Sequence, residues 1–326
     1  MARTRLYQSG ELVAKDFPLA EVSDHLADPQ SVVWLDLCLA EDDALHALHA
    51  LVDELDLHEL AVEDALHEHE RAKLDRYATH LFLSASLTVV DPASGVLAVQ
   101  EISAFITRQA LVTVRRTADT DIDPVLQRWD ESPEMAAHGV SFLLHGLLDH
   151  IVDTHFDAVH TLDDEIEGLE DLLFQDGPHD GQVQRRSFQL RKSLVLLRRV
   201  VLPMREVVNT LMRRDLHVID EPMAPYFQDV YDHVLRATEW TESLRDLVTT
   251  ILETNLTIQS NRLNGIMKKV TSWAAVIAVP TAVTGFYGQN VPYPGFGHWS
   301  GFATSTAVVV LLSTGLYLTF KRRDWI

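Results

Sequence analysis

The chain has 326 residues, of which 47% are hydrophobic and 23% charged, and its formal net charge is −21. This composition excludes a disordered chain, and the negative charge argues against nucleic acid as a main partner. The charge is uneven, because Asp324 is the only acidic residue from Asn264 onward. The N-terminus lacks the apolar core of a signal peptide, and the single Cys38 fits a reducing compartment. We therefore expect the acidic part of the chain to lie in the cytoplasm.

The first part of the chain shows strand and helix signals in alternation. Apolar, β-branched runs predict four strands, at residues 31–40, 80–90, 96–106 and 111–115. Two stretches between the first two strands, EDDALHALHALVDEL and HELAVEDAL, have helical spacing. The pattern predicts an α+β cytoplasmic domain, a mixed sheet flanked by helices, over residues 1–135.

Strand signals stop near Ala136, and helical patterns fill the rest of the chain. Residues 136–174 and 183–215 predict two long helices, which form a helical hairpin within residues 136–221. A third helix begins near Tyr226, with no glycine before Gly265 and no proline before Pro280. It is predicted to form a stalk over residues 222–269 and to continue without a break into the next segment.

A heptad-like seam runs along this stalk helix. Its members alternate spacings of four and three, and they are Val230, Val234, Ala237, Thr241, Leu244, Val248, Ile251, Asn255 and Ile258. An ordinary amphipathic helix on its own core has the same pattern. We favour packing between copies of the chain, because the seam leads into an apolar segment.

Two apolar segments follow, and each is long enough to cross a bilayer. Val270–Tyr287 and Gly301–Phe320 contain no charged residue, and at about 1.5 Å per residue each spans a hydrocarbon core of roughly 30 Å. We predict a transmembrane helix at 270–289, an external loop at 290–300, a second transmembrane helix at 301–320 and a basic tail at 321–326. Lysines and arginines flank the spans but are absent from the loop, which places both termini in the cytoplasm of a multi-pass cell-membrane protein.

One face of the first span is small or polar. In the register of the seam it consists of Asn264, Met267, Thr271, Ala274, Ala278, Thr281, Gly285 and Gly288. A single helix pair explains small residues, whereas a symmetric ring of such helices encloses a narrow aqueous path. Asn290 is then expected at the outer end, where a ring of amide oxygens holds a hydrated divalent cation through its waters.

Several motifs resemble those of the CorA-type divalent-cation transporters. They are YGQN after the first span, PYFQDVYDH at the stalk start, LRKSLVLLRRVVLPMREV in the hairpin and the KRRDWI tail, so the resemblance covers nearly the whole chain. It implies a funnel-shaped homopentamer in the lipid bilayer, with the first span lining the pore and the second outside it. It also implies Mg²⁺ as transported and regulatory ion, with no organic cofactor.

The resemblance assigns roles to individual residues. Gly288, Gln289 and Asn290 match the Gly-Met-Asn signature at the pore mouth. The pore-facing matches are Asn264, Met267, Val270 and Thr281. Asp229 matches an acidic residue that binds regulatory metal between subunits, and Asp91 is the candidate for its partner.

Two departures from the family pattern concern cation identity. Gln289 replaces the signature methionine, and the loop VPYPGFGHWSG lacks the acidic residue that often follows the signature. The sequence therefore favours a passive divalent-cation channel or transporter for Mg²⁺, with Co²⁺ and Ni²⁺ as further ions, gated by intracellular metal. A zinc transporter of the same superfamily is one alternative, and a non-conducting membrane-anchored sensor or scaffold is another. No phosphate loop or nucleophile motif supports an enzyme.

Four histidines recur every five residues, at His145, His150, His155 and His160. Each step turns about 140° on a helix, so they cannot converge on one metal, and we predict that they are solvated. The acidic residues between Asp163 and Asp171 are likewise predicted to be solvated, with loose cation attraction as the alternative.

Overall fold

The computed structural model of the chain describes residues 2–67, 71–175, 180–213, 216, 218–289 and 291–326. It divides into two compact units, Met1–Ile251 and Leu252–Ile326.

A mixed sheet forms the core of the first unit. Among the described residues its strands are β1 (Arg3–Gln8), β2 (Glu11–Lys15), β3 (Ser31–Cys38), β4 (Lys73–Arg76), β5 (Leu81–Asp91), β6 (Val96–Ile106) and β7 (Ala110–Arg115). They lie in the order β2-β1-β3-β7-β6-β5-β4, with β3 and β7 parallel and the other neighbours antiparallel. The central parallel pair is buried along almost its whole length, as expected for strands covered on both faces.

Helices cover both faces of this sheet. In chain order the α-helices of the described residues are α1 (Val22–Leu26), α2 (Ala44–Leu55), α3 (Glu59–Leu66), α4 (Asp123–Glu131), α5 (Pro133–Ala136), α6 (Val140–Phe174), α7 (Asp180–Leu211), α8 (Ala224–Tyr287) and α9 (Trp299–Arg322), of which α9 belongs to the second unit. Alternate residues of β3 face opposite sides, because side chains alternate along a strand. Val33 and Leu35 pack in one core with α2 and α3, and Trp34 packs in the other with α4, α6 and α8. The predicted mixed sheet flanked by helices is confirmed.

The first hairpin and the edge strand β4 are not among the strands that the sequence pattern predicts. The turn between β1 and β2 consists of Ser9 and Gly10, whose φ angles are 51° and 87°. A Cβ at Gly10 would lie 2.1 Å from the carbonyl oxygen of Pro133. Glycine is therefore required there both for its backbone conformation and for the approach of α5.

From Val230 to Ile251 the heptad-like seam of α8 is buried within the single chain. Val230 and Val234 share a core with residues of α6 and α7, among them Leu147 and Met204. From Ala237 to Ile251 the seam packs in a second core with the same two helices. The prediction that this part of the seam packs between copies is therefore wrong. The periodicity was correct, but α6 and α7 of the same chain supply the apolar partners.

The helix α8 is continuous over its 64 residues, a length of roughly 96 Å at 1.5 Å per residue. Its uninterrupted course through Lys268 and Lys269 confirms the prediction, and Pro280 lies inside it. In the second unit α8 and α9 are long and apolar enough to cross a membrane. Two candidate membrane spans are thus present in the described residues.

Candidate ion pathway and regulatory residues

The predicted pathway face of α8 is uncovered in the single chain. Every predicted lining residue is exposed, namely Asn264, Met267, Val270, Thr271, Ala274, Ala278, Thr281, Gly285 and Gly288. Bulky residues elsewhere on the span are exposed as well, with Ile277 at 63% and Phe286 at 58%. Exposure therefore does not distinguish the predicted pathway face from the rest of the span. The chemistry of the side chains does. Bulky apolar side chains suit lipid, while small and hydroxyl side chains suit close helix contact or water.

Two threonine hydroxyls on the span donate their protons to the helix backbone. Thr281 Oγ1 donates to the carbonyl oxygen of Ile277 at 3.0 Å, and Thr284 Oγ1 donates to that of Pro280 at 2.8 Å. A hydroxyl carries one proton and two lone pairs. Since each proton is bound to the backbone, the lone pairs remain available to accept hydrogen bonds, for example from the water shell of a cation. Thr284 is not among the predicted lining residues, because it does not share the register of the seam. Its hydroxyl residue type is the sequence signal that could have identified it.

The backbone at the end of α8 leaves little space for a side chain at Gly288. The amide of Gly288 donates to the carbonyl oxygen of Thr284 at 2.8 Å, and a Cβ on Gly288 would lie 3.0 Å from that oxygen. Gln289 is exposed, and its carbonyl oxygen accepts from the amide of Val291 at 2.6 Å. Asn290, the predicted ligand of the hydrated ion, lies outside the described residues.

Aromatic and glycine contacts order the described part of the loop after α8. The ring centroids of Tyr287 and Tyr293 are 4.8 Å apart, and those of Tyr293 and Phe296 are 5.3 Å apart. Gly295 adopts a φ of 89°, and a Cβ on Gly301 would lie 2.5 Å from its carbonyl oxygen. The loop is therefore packed onto the start of α9, and no carboxylate occurs in its sequence.

The helix α9 contacts a side of α8 that differs from the predicted pathway face. Ser272 is 1% exposed although its neighbours Thr271 and Trp273 are exposed. The rings of Trp273 and Tyr317 are 6.3 Å apart. Ser272 and Ser313 have buried hydroxyls without a hydrogen-bond partner among the described residues. Thr271, one residue from this contact, stays uncovered.

Asp91 is held in the turn between β5 and β6. Its carboxylate accepts from the amide of Ala93 at 3.1 Å and from the hydroxyl of Ser94 at 2.5 Å. These two hydrogen bonds lower the pKa of Asp91 from its ordinary value, and the bond from Ser94 has the larger effect. Asp91 thus has a structural role in the turn, in addition to its predicted role as a metal ligand.

Asp229 lies in the first turns of α8, with its side chain 65% exposed and its Oδ2 3.9 Å from Nε2 of His233. No group of three or more His, Cys, Asp or Glu residues that could hold a metal occurs among the described residues. Joint metal binding by Asp229 and Asp91 stays a prediction and would need carboxylates from more than one chain.

The prediction that the four regularly spaced histidines are solvated is wrong for His155. This residue is 0% exposed, and its Nε2 lies 2.8 Å from the carbonyl oxygen of Ser86. Burial lowers its pKa to about 4. His145 is partly buried against the rings of Tyr226 and Phe227, whereas His160 is exposed. The reason is that α6 packs along β5, a contact that the spacing of the histidines does not reveal.

Comparison with known proteins gives consistent matches along the chain. A model of the family described as CorA-like Mg²⁺ transporter protein matches residues 29–322. The cobalt/magnesium transport protein CorA of Thermotoga maritima is 30% identical over 272 residues, which cover 83% of this chain and 77% of that protein. The zinc transport protein ZntB of Yersinia enterocolitica is 26% identical over 229 residues, covering 69% and 68%. The structure of the CorA magnesium transporter from Methanocaldococcus jannaschii matches with a TM-score of 0.78 and 20% identity, covering 100% of this chain and 99% of that one.

Proposed function

The chain belongs to the CorA-like Mg²⁺ transporter family, and from this premise we propose that it is a passive divalent-cation channel whose main cargo is Mg²⁺. The observation that carries the proposal is the uncovered face of α8. That face brings small and hydroxyl side chains through a candidate membrane span, and Thr281 has its lone pairs free. Such a surface passes a hydrated cation without trapping it, because uncharged oxygen atoms contact the ion only through its waters.

A single face of one helix cannot enclose a path. We therefore propose a homopentamer in which α8 of every copy lines a central symmetry axis. Both termini lie in the cytoplasm, since basic residues flank the spans on that side. Residues 1–135 and the hairpin 136–221 then form the cytoplasmic part, which residues 222–269 connect to the pore. Gly288, Gln289 and Asn290 form the outer mouth.

Cation identity separates two versions of this function. The family model and the Thermotoga relative support Mg²⁺. The zinc-transporting relative and the acid-free loop support Zn²⁺ as the alternative. A non-conducting membrane sensor is the alternative from another class, and measured flux distinguishes all three.

The decisive experiment measures ion entry into proteoliposomes that contain the full-length protein and a Mg²⁺ indicator. We expect Mg²⁺ to enter, and Thr281→Val to slow its entry because the substitution removes the oxygen that accepts hydrogen bonds. Thr319→Val in α9 is the matched control, since Thr319 also donates to a carbonyl oxygen one turn back, that of Gly315 at 2.7 Å. Selective entry of Zn²⁺ without Mg²⁺ would establish the zinc alternative. Failure of Mg²⁺, Co²⁺, Ni²⁺ and Zn²⁺ alike would reject transport.

We propose further that Asp229 takes part in regulation by intracellular Mg²⁺. Carboxylates from neighbouring copies repel one another unless a cation bridges them, so Mg²⁺ should hold the cytoplasmic parts together. Asp229→Lys should weaken the protection that Mg²⁺ gives against proteolysis, whereas Glu239→Lys, at another exposed position of α8, should not. Unchanged protection in Asp229→Lys would remove the regulatory assignment.

A further inference from the structure

Two exposed stripes of opposite charge lie on the hairpin of α6 and α7. The acidic stripe on α6 consists of Asp157, Asp164, Glu167 and Asp171, and the basic stripe on α7 consists of Arg185, Lys192 and Arg199, which are spaced seven residues apart. None of these side chains forms an ion pair with another described residue. The same helices do pair charges within the chain elsewhere, as Arg186 does with Glu165 at 2.7 Å. The outward stripes thus lack ion-pair partners among the described residues of one copy, and Arg185 donates only to the carbonyl oxygen of Gly181 at 3.2 Å.

Apolar side chains accompany the basic stripe. Phe188, Val195 and Leu202 are spaced seven residues apart on α7 and are 55%, 44% and 37% exposed. Residues seven apart lie on one side of a helix, so they form a single row. On α6, Phe174 is 76% exposed three residues after Asp171. A row of exposed large apolar residues bordered by charge is typical of a protein interface rather than a solvated face.

We infer that the basic stripe of one copy docks against the acidic stripe of a second copy of this chain. The inference rests on the proposed homo-oligomer and adds an interface to it. Its first support is charge complementarity, because one surface is almost purely acidic and the other almost purely basic. The exposed Glu206 follows Arg199 at the same seven-residue spacing and ends the basic stripe, and its carboxylate lies 3.8 Å from the guanidinium of Arg71. Such complementarity fixes register and partner choice, while the apolar row supplies buried area.

The second support is that the stripes lie at the same level of the hairpin. The pair of Arg186 and Glu165 shows where the two antiparallel helices pass each other. Counting from that pair places Glu167 level with Arg185 and Asp157 level with Val195, each within about one residue, or roughly 1.5 Å. A rotation about an axis parallel to the hairpin leaves these levels unchanged. The acidic stripe of one copy and the basic stripe of the next then lie at matching heights, as the proposed contact requires.

The geometry of this contact constrains the assembly. It joins two different surfaces, so it is heterologous, and a heterologous contact repeated by rotation closes into a ring. An isologous dimer would satisfy both stripes at once and would stop at two copies, whereas the heterologous contact continues to further copies. The interface is therefore compatible with a ring around a central pathway.

Disulfide trapping in the full-length protein in lipid nanodiscs tests the interface. Asp157→Cys and Val195→Cys are combined in a Cys38→Ala background, so that no other thiol is present. We expect oxidation to give a ladder of covalent oligomers on a denaturing gel, and either cysteine alone to give at most a covalent dimer. Only monomers from the double variant, while native mass spectrometry shows an intact oligomer, would overturn the interface and leave the proposed function in place. Monomers by native mass spectrometry as well would overturn the proposed oligomer together with the interface.

Charge reversal tests the pairing itself. In the same double-cysteine protein, Arg185→Glu with Lys192→Glu should abolish the ladder. Adding Asp164→Lys and Glu167→Lys should restore it, because the substituted positions of the two stripes then have exchanged sign and attract each other again. Asp24→Lys, an exposed change on α1, is the control and should leave the ladder unchanged. A ladder that survives the first reversal would show that charge does not set this contact and would overturn the inference.

Discussion

His155 makes the stability of the first unit dependent on acid. Its pKa is lowered by burial from 6.5 to about 4. Between these values the unfolded chain binds a proton that the folded chain does not, so stability falls as pH decreases from 6.5 to 4. At pH values above 6.5 the penalty is absent. With 1.36 kcal/mol for each pKa unit, the loss from this residue amounts to about 3 kcal/mol.

The measurement is the midpoint of thermal unfolding between pH 7 and pH 4. His155→Gln retains an amide that can donate to the carbonyl oxygen of Ser86 but does not titrate, so its midpoint should fall less steeply than that of the parent protein. His46→Gln, at an exposed position of α2, is the control and should follow the parent. Parallel pH profiles for all three proteins would show that His155 does not carry the acid sensitivity.

A buried ion pair joins β3 to β7. Asp36 is 2% exposed and Arg115 is 7% exposed, and Nε of Arg115 lies 3.0 Å from both carboxylate oxygens. Thr113 donates to the same carboxylate at 2.7 Å. Removing one partner leaves a buried charge uncompensated, which costs about 3–5 kcal/mol. Asp36→Asn should therefore lower the free energy of unfolding, measured in urea, by that amount.

The apolar double variant separates the ion pair from other effects of the substitution. Asp36→Leu with Arg115→Met removes both charges together and should recover most of the lost stability. Asp42→Asn, at an exposed position before α2, should change stability by less than about 0.5 kcal/mol. A similar loss in the double variant and in Asp36→Asn would mean that packing, not charge, dominates at this position.

At the scale of elements, α6 offers two glycines with opposite environments. A Cβ on Gly146 would lie 2.5 Å from Nε1 of Trp129, whereas a Cβ on Gly168 would have no atom within 4 Å. Gly146→Ala should destabilise the protein by about 1–3 kcal/mol through overpacking. Gly168→Ala should stabilise it by about 0.5–1 kcal/mol, since alanine favours helix. Chemical unfolding of the two variants measures the difference, and equal effects would show that α4 does not pack closely on α6.

The elements that could be predicted from sequence are those with a long periodic pattern. The four longest helices and the strands β5 to β7 have such patterns, and the structure confirms them. β2 and β4 have only five and four residues, β1 contains the polar residues Arg3, Thr4, Arg5 and Gln8, and β4 consists of the largely charged sequence KLDR. Such strands form because a neighbour offers backbone partners, as β5 does for β4. That information is not local in the chain.

The candidate site was predictable to the extent that residue chemistry decides it. The small and hydroxyl face of α8 follows from sequence alone, and the structure leaves that face exposed. The partner of the seam could not be predicted, because a heptad repeat has the same pattern against the same chain as against another copy. Likewise, the turn that holds Asp91 depends on Ala93 and Ser94 taking one particular conformation.

At the scale of the whole molecule, charge is distributed along the proposed direction of transport. Nearly all of the 48 acidic residues precede Asn264, so the proposed cytoplasmic part attracts cations. The proposed external loop has no acidic residue, and His298 is its only titratable group besides Tyr293. Cation capture at the outer mouth must then depend on neutral oxygen atoms, including those of Gln289 and Asn290.

This charge distribution predicts how external salt affects uptake. A ring of loop carboxylates would raise the local Mg²⁺ concentration, and salt would screen that effect over roughly 8 Å at physiological ionic strength. Without such a ring, the apparent affinity for external Mg²⁺ should be weak and nearly independent of monovalent salt. Initial uptake rates against external Mg²⁺, at low and high salt, measure this in proteoliposomes. Pro294→Asp places a carboxylate in the loop and should give both tighter apparent affinity and a salt dependence, while Pro294→Asn controls for the lost proline. A steep loss of affinity with salt in the parent protein would mean that carboxylates from elsewhere reach the mouth.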